Sequence, residues 1–351
     1  MQTWLRIWRR SIQNGITVKA SAIAHSNIAL IKYWGRAQDH DPTLNIPSND
    51  SVSMTKYGLS DVHLQTHTTI EFSNHYEEDT AHLDGEVLSG RHRDRILRVV
   101  DPLRKYAGVD SKFKMMSRND FPTQAGLASS SSGFAALAIA TVNALDLDFT
   151  KEGISKYARL GSGSAARSIH GGFVYWNKGN SHDTSFAHQI CGPKEFDINA
   201  VIAIVHEGKK EVTSDVGHNL AHTSPFDVVR IEKSDEQAQE IEKAILDDDF
   251  TKVGKIAEEN CKYMHAVMMT STPPLFYWSP ETLRLIRSTQ GMRQEGLECY
   301  FTIDAGPNVH YFCRPETMYD LQKALEKIEG VRKTIPVKPA NDSHVTERHL
   351  F

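Results

Sequence analysis

The sequence predicts a protein of mixed helices and strands, in one large or two medium domains. Its 351 residues are too many for a single small core. Its first half is punctuated by short apolar runs rich in β-branched residues, the pattern of strands. Its second half carries long segments whose apolar residues recur at helical spacing. Hydrophobic residues at 40% and charged residues at 24% are the balance of a chain that packs a core and keeps a wet surface.

The elements follow in order. Met1 to Ile16 has arginines and tryptophans but no apolar run leading to a small-residue cleavage site, so it reads as a short dispensable extension. Thr17 to Trp34 reads as strand, turn, strand, and Ser51–Thr55 and Thr68–Phe72 as further strands. Ile96, Val99, Val100 and Leu103 place one apolar face on a helix over Arg93–Tyr106. A polar strand is expected near Lys112–Ser117. Phe121 to Leu145 begins with Pro, Gly and four serines and ends as an alanine-rich helix expected from Phe134. A helix over Lys151–Leu160 and a second Gly/Ser turn, with an apolar strand up to Trp176, complete the first half. Cys-Gly-Pro-Lys breaks the pattern near Pro193, so the expected domains are 17–193 and 194–351. Beyond it come a buried strand at Val201–Val205, helices near Val228–Leu246, Phe250–Met269 and Glu281–Glu295, and a strand pair within Glu298–Cys313. Met318, Leu321, Leu325 and Ile328 mark the face of a last helix.

Composition excludes several classes of function. Net charge is -4 and no Lys/Arg block forms a basic tail, which argues against nucleic acid as a partner. Four scattered cysteines contain no CxxC pair, so neither a zinc site nor a disulfide framework is expected, and the compartment reads as the reducing cytoplasm. The 17 histidines form no HExxH or similar ligand pair. With no run of about 18 apolar residues, no membrane span is expected.

Four motifs carry chemistry. Ala125 to Gly133, AGLASSSSG, either cradles a phosphate through close backbone amides, hydroxyls and a helix start, or simply caps a buried helix. It lacks the Gly-Lys-Ser/Thr of a Walker loop. In Gly161 to Arg167, GSGSAAR, Arg167 can grip a carboxylate or phosphate with a two-pronged hydrogen bond, or stand exposed after a loop. Lys32 lies in an apolar strand, IALIKYW, where an ammonium must face solvent or hold an anion, and Asn27, Tyr33 and Arg36 add polar groups around it. Asp304 ends the apolar run of FTIDAGPN, as a turn former or as a carboxylate aimed by its strand.

Taken together these motifs resemble the mevalonate diphosphate decarboxylase family within the GHMP kinase superfamily. The segments NIALIKYWG (27–35), LNIPSNDSVSMT (44–55), FPTQAGLASSSSGFAA (121–136), GSGSAARSIHGGF (161–173), KKEVTSDVGHNLAHTSP (209–225) and TIDAGPN (302–308) occur in family order. The resemblance implies an α+β GHMP-kinase fold, two α+β domains with the active site in the cleft between them, and ATP with Mg2+. It implies phosphorylation of the 3-hydroxyl of a phosphorylated mevalonate, then loss of phosphate and carbon dioxide. By motif, Asp304 matches the catalytic carboxylate, Lys32 its partner and Arg167 the arginine at the substrate carboxylate. Gly126, Ala128, Ser129, Ser130 and Gly133 match the ATP phosphate loop. Asn27, Tyr33, Arg36, Ser162, Ser164, Ser214 and Asp215 match substrate-binding positions; no residue is assigned to metal. Family likeness also suggests a homodimer.

Two departures bear on the substrate. Gly35-Arg36 stands where the family usually has Gly-Lys, which keeps the charge. Thr213-Ser214-Asp215 stands where the diphosphate enzymes usually have Ser-Ser-Arg. An acid replaces a base at the expected outer phosphate, so the expectation from sequence is a mevalonate 5-phosphate decarboxylase giving isopentenyl phosphate. Mevalonate 5-diphosphate, a pure 3-kinase and a non-catalytic sensor of the same fold are the alternatives.

Overall fold

Two β-sheets with helices packed on them organise the chain in a computed structural model that describes residues 17–121, 129–206, 208 and 212–351. The expected extension, residues 1–16, lies outside the described residues, as do Gly126 and Ala128 of the serine loop.

Sheet one has six strands. It is built on β1 (Val18–His25) and β4 (Gln65–Ser73), which pair antiparallel from Val18–Phe72 to His25–Gln65. On the far side of β4 lies β7 (Lys112–Asn119), followed by the short hairpin β5 (Thr80–Leu83) and β6 (Glu86–Val87); β14 (His344–Thr346) closes the other edge. One face is covered by α1 (Gly90–Ala107), α2 (Ser129–Ala144) and α3 (Lys151–Gly161). Alanines 135, 136, 138 and 140 of α2 are fully buried, and their small side chains let the helix lie close on β1 and β4.

α2 starts at Ser129 rather than at Phe134 as the sequence predicts. Ser131 and Ser132 are buried, and Ser132 Oγ hydrogen-bonds Thr66 Oγ1 on β4 at 2.7 Å. The serine hydroxyls are thus satisfied inside the packed face, and the helix begins a turn earlier than its apolar pattern. Lys32 likewise stands one residue beyond β2 (Asn27–Ile31) and not within it.

Sheet two runs β11 (Tyr300–Thr302), β12 (Val309–Cys313), β10 (Asn199–Ile204), β13 (Lys333–Pro339), β3 (Ser51–Gly58), β8 (Phe173–Trp176), β9 (Ala187–Cys191), with β2 also paired to β3. Strands from before and after residue 193 therefore share one sheet: β3 pairs β13 at Gly58–Val337, Tyr57–Lys338 and Lys56–Pro339. Pro336 and Pro339 hide β13 in the sequence, since proline reads against an inner strand. The long helices α5 (Asp227–Leu246), α6 (Phe250–Thr270) and α7 (Pro280–Gln294) pack over this half, after the short α4 (Ser214–His218). α6 touches both β2 and β11. The last helix, α8 (Met318–Glu326), ends before Ile328. All four cysteines are free and buried, and among the described residues no helix is long and apolar enough to cross a membrane.

Candidate active site

A cleft of about 590 Å³ opens where the loop after β2, the start of α2, the end of α3 and the loop after β11 converge. Arg167, Lys32, Tyr33 and Asp304 line it, with Asn27 and Arg36. Ser129, Ser130, Ser162 and Ser164 form another wall, and Ser214 and Asp215 reach it from α4. Gly133, expected in the phosphate loop, is a turn inside α2 and does not line the cleft. Every other described residue singled out in the sequence is brought to this one place.

Lys32 and Asp304 are the centre of the site. Lys32 is 1% exposed, and its Nζ donates to Asp304 Oδ1 at 2.6 Å and to the Ala29 carbonyl at 2.9 Å. The main chain is pinned on both sides: Lys32 N donates to Asn260 Oδ1 at 2.8 Å, and Asn49 Nδ2 donates to the Lys32 carbonyl at 2.9 Å. Asp304 keeps a side chain 38% exposed on the cleft. Enclosure by protein pushes its carboxyl up, but the charge and hydrogen bond of Lys32, with His310 and Lys56 behind, outweigh this and bring it down to about 2. Asp304 is therefore a carboxylate at neutral pH.

Behind the pair stands a buried cation the sequence did not single out. Lys56 on β3 has no exposed surface, and its Nζ lies 3.2 Å from His310 Nε2. Burial lowers the Lys56 ammonium to about 8, although Asp304 opposes the shift.

Arg167 is held in place rather than free. It follows a tight turn in which Gly163 has no room for a side chain: a Cβ there would stand 2.5 Å from the Tyr33 ring. Its Nη1 donates to Ser51 Oγ at 2.8 Å, and the guanidinium lies 5.5 Å from the Trp176 ring centroid. Burial lowers it to about 10, which leaves it charged at neutral pH. Tyr33 Oη, Arg36 Nε and Arg167 Nε are buried without a partner among the described residues. Such atoms are costly unless a ligand meets them.

At the other end of the cleft, α1 contributes Arg91, Arg95 and Arg98, with His92. The spacing i, i+4, i+7 puts the three arginines on one helix face. Sequence reading missed them because charged residues opposite an apolar stripe look like a solvated face; the density of RHRDR was the available signal. Asp215 forms ion pairs with both Arg36 and Arg91, tying α4 to the β2 loop and to α1. Lys209 and Lys210, which precede α4 in the sequence, lie outside the described residues. Arg95 Nε donates to the Gly161 carbonyl at 2.7 Å and its guanidinium covers the Phe134 ring.

The α2 end of the cleft fits nucleotide phosphates. Ser129 and Ser130 start the helix, so their backbone amides are free of helical partners. Ser130 Oγ lies 3.3 Å from Ser162 Oγ, which is 3.4 Å from Ser164 Oγ, a line of hydroxyls along the wall. Among the described residues no group of three His, Cys, Asp or Glu gathers as a metal cage.

Residues 24–187 match the family model described as diphosphomevalonate decarboxylase-like N-terminal domain, and residues 200–348 match that of the mevalonate 5-diphosphate decarboxylase C-terminal domain. The chain is 36% identical to the diphosphomevalonate decarboxylase of Candida albicans, with 82% of each chain covered. It is 32% identical to the phosphomevalonate decarboxylase of Haloferax volcanii, over 88% of this chain and 92% of that one. Among solved structures, mevalonate diphosphate decarboxylase from Staphylococcus aureus superposes with a TM-score of 0.86 at 36% identity, covering 96% of this chain and 100% of that one. A complex of MDDEF with MVAPP, AMPPCP and magnesium gives 0.86 at 35% identity, covering 95% and 100%.

Proposed function

The chain belongs to the diphosphomevalonate decarboxylase family of ATP-dependent carboxy-lyases, and from that premise we propose that its substrate is mevalonate 5-diphosphate and its product isopentenyl diphosphate. The observation that carries the choice is the arginine end of the cleft. Among the described residues, Arg36, Arg91, Arg95 and Arg98 line that end with one acid, Asp215, so a surplus of positive charge is left for a polyanion. The three arginines of α1 do what the expected arginine at position 215 would have done. They shift the balance from the monophosphate favoured by sequence to the diphosphate, which is also the substrate class named for the greater number of similar proteins.

In this reading Ser129, Ser130 and the start of α2 hold the phosphates of ATP, and Mg2+ riding on those phosphates neutralises charge during transfer. Asp304 accepts a hydrogen bond from the 3-hydroxyl of the substrate and aims its oxygen at the γ-phosphorus. A carboxyl at about 2 is a weak base, so Asp304 mainly orients the hydroxyl and takes its proton late, as a loose phosphoryl transfer permits. Lys32 keeps that carboxylate charged and fixed. Arg167 holds the substrate carboxylate while the C3–O bond to the new phosphate breaks. The electrons of the carboxylate-bearing C–C bond then form the alkene, and carbon dioxide leaves.

A second reading has its own support: Asp215 occupies Arg36 and Arg91, which would leave less room for an outer phosphate and favour mevalonate 5-phosphate. Incubation with ATP and each mevalonate phosphate, with trapping of carbon dioxide, decides between them. A higher kcat/KM for the diphosphate is expected. A higher value for the monophosphate establishes the second reading, and phosphorylation without carbon dioxide release overturns both.

A further inference from the structure

His218 ends α4 one turn after Ser214, so the two side chains share a helix face, and both line the cleft. The imidazole is clamped. It stacks on Tyr33 with ring centroids 4.2 Å apart and lies against Trp34 at 4.7 Å. The Gly35 N–H donates to its Nδ1 at 3.0 Å. A ring nitrogen that accepts this bond carries no proton, so the proton of the neutral ring sits on Nε2. Burial, then the charges of Arg36, Arg230 and Arg167, hold the imidazolium far below its ordinary range, and the ring stays neutral. His218 is only 8% exposed, yet among the described residues no protein group takes the Nε2 proton. Its stacking partner Tyr33 also has a hydroxyl without a partner among those residues. The stacked pair thus holds two unspent polar groups, and both residues line the cleft together with Arg36.

We propose that His218 is a substrate-binding residue that donates its Nε2–H to an oxygen of the phosphorylated end of the substrate, beside Tyr33 Oη and Ser214. The inference rests on the reaction proposed above. The arginines supply charge, which attracts from any direction; a fixed ring N–H supplies direction, which places the phosphate and with it the distant 3-hydroxyl. The competing role is purely structural: His218 would be there to accept from Gly35 and to fill the stack.

Two substitutions separate these roles because each keeps one of the two nitrogens' functions. His218→Asn retains an acceptor near Nδ1 and removes the Nε2 donor. His218→Gln places an amide donor near Nε2 and removes the acceptor for Gly35. We expect His218→Asn to raise KM for the phosphorylated mevalonate about tenfold or more, while KM for ATP stays within about twofold, and His218→Gln to recover most of the loss. An unchanged KM in the Asn variant, or a Gln variant worse than the Asn variant, overturns the proposal. The wild-type protein supplies an arm that needs no variant to fold and no turnover. With 15N-labelled histidine, adding inorganic diphosphate should shift the Nε2 resonance of His218; a resonance that stays in place overturns the proposal. If the wild type releases no carbon dioxide from either mevalonate phosphate, the reaction assigned above falls, and the diphosphate titration still decides the role of His218.

Discussion

Lys32 and Asp304 were legible as residues because their strangeness is local. An ammonium at the end of an apolar strand and a carboxylate before a Gly-Pro turn each violate the pattern around them, and the structure joins them at 2.6 Å. The sign of their coupling sets a pH expectation. The folded carboxyl lies at about 2, below its unfolded value near ~3.9, so the stabilisation it brings is full above ~3.9 and is lost as pH falls through about 2. Between about pH 5 and 8 the wild-type rate should therefore show no acid limb from Asp304. In Lys32→Met the enclosed carboxylate loses its nearest cation and hydrogen-bond donor, only His310 and Lys56 behind still oppose burial, and the acid limb should move up, as a pH profile of kcat will show. Asp304→Asn should keep ATP binding and lose ~10³-fold or more in turnover. Near-normal turnover removes Asp304 from the chemistry. Asp215 was legible too, but its meaning was not. Read alone it is an acid in place of a base; in three dimensions it sits between two arginines. Asp215→Arg adds positive charge next to Arg36 and Arg91, so it should raise the ratio of kcat/KM for diphosphate over monophosphate by about tenfold, and an unchanged ratio means that position 215 reads no phosphate.

At the scale of elements, helices and strands with strong periodicity were readable, and those with conflicting local signals were not. The helix of Ile96, Val99, Val100 and Leu103 appears as expected, but its other face was passed over, since nothing local distinguishes arginines that meet solvent from arginines that meet a cleft. β13 was hidden by its prolines, and the first turn of α2 by serines whose partner, Thr66, is 66 residues away. The turn between α3 and β8 makes an element-scale expectation possible. Gly163 is pressed on the Tyr33 ring, and an added methyl would meet ring atoms at 2.5 and 2.7 Å and the hydroxyl oxygen at 2.8 Å. Gly163→Ala must displace the tyrosine or the turn that carries Arg167. KM for the phosphorylated mevalonate should rise about tenfold or more with a modest fall in Tm. Unchanged KM with a lowered Tm would confine Gly163 to packing.

For the molecule as a whole, the decisive feature is the sharing of sheet two. A break in local pattern near Pro193 suggested where the chain divides, but strand pairing is non-local and leaves no mark at the break. β3 from the first part lies beside β13 from the second, and β2 and β11 both rest on α6. The piece 194–351 would have β10, β12 and β13 with an uncovered edge where β3 belongs. Expressed alone it should show a non-native circular dichroism spectrum and a broad thermal transition, whereas mixing with 17–193 should restore cooperativity. A sharp transition for the isolated piece would establish it as an independent unit.

The four shielded thiols turn the molecule into its own stopwatch. Burial keeps Cys191, Cys299 and Cys313 out of reach and pushes them up to about 12, and Cys261 is raised as well, so an alkylating reagent can act only when the fold opens. The clocks are well spaced: Cys191 ticks at the β9 edge, while Cys261 holds the main chain of Ile303, the residue before Asp304, through a 3.1 Å N–H to sulfur contact. With iodoacetamide and peptide mass mapping, occupation of the cleft should slow the labelling of Cys261 more than that of Cys191. Equal slowing at both would mean that the protein opens to the reagent only all at once.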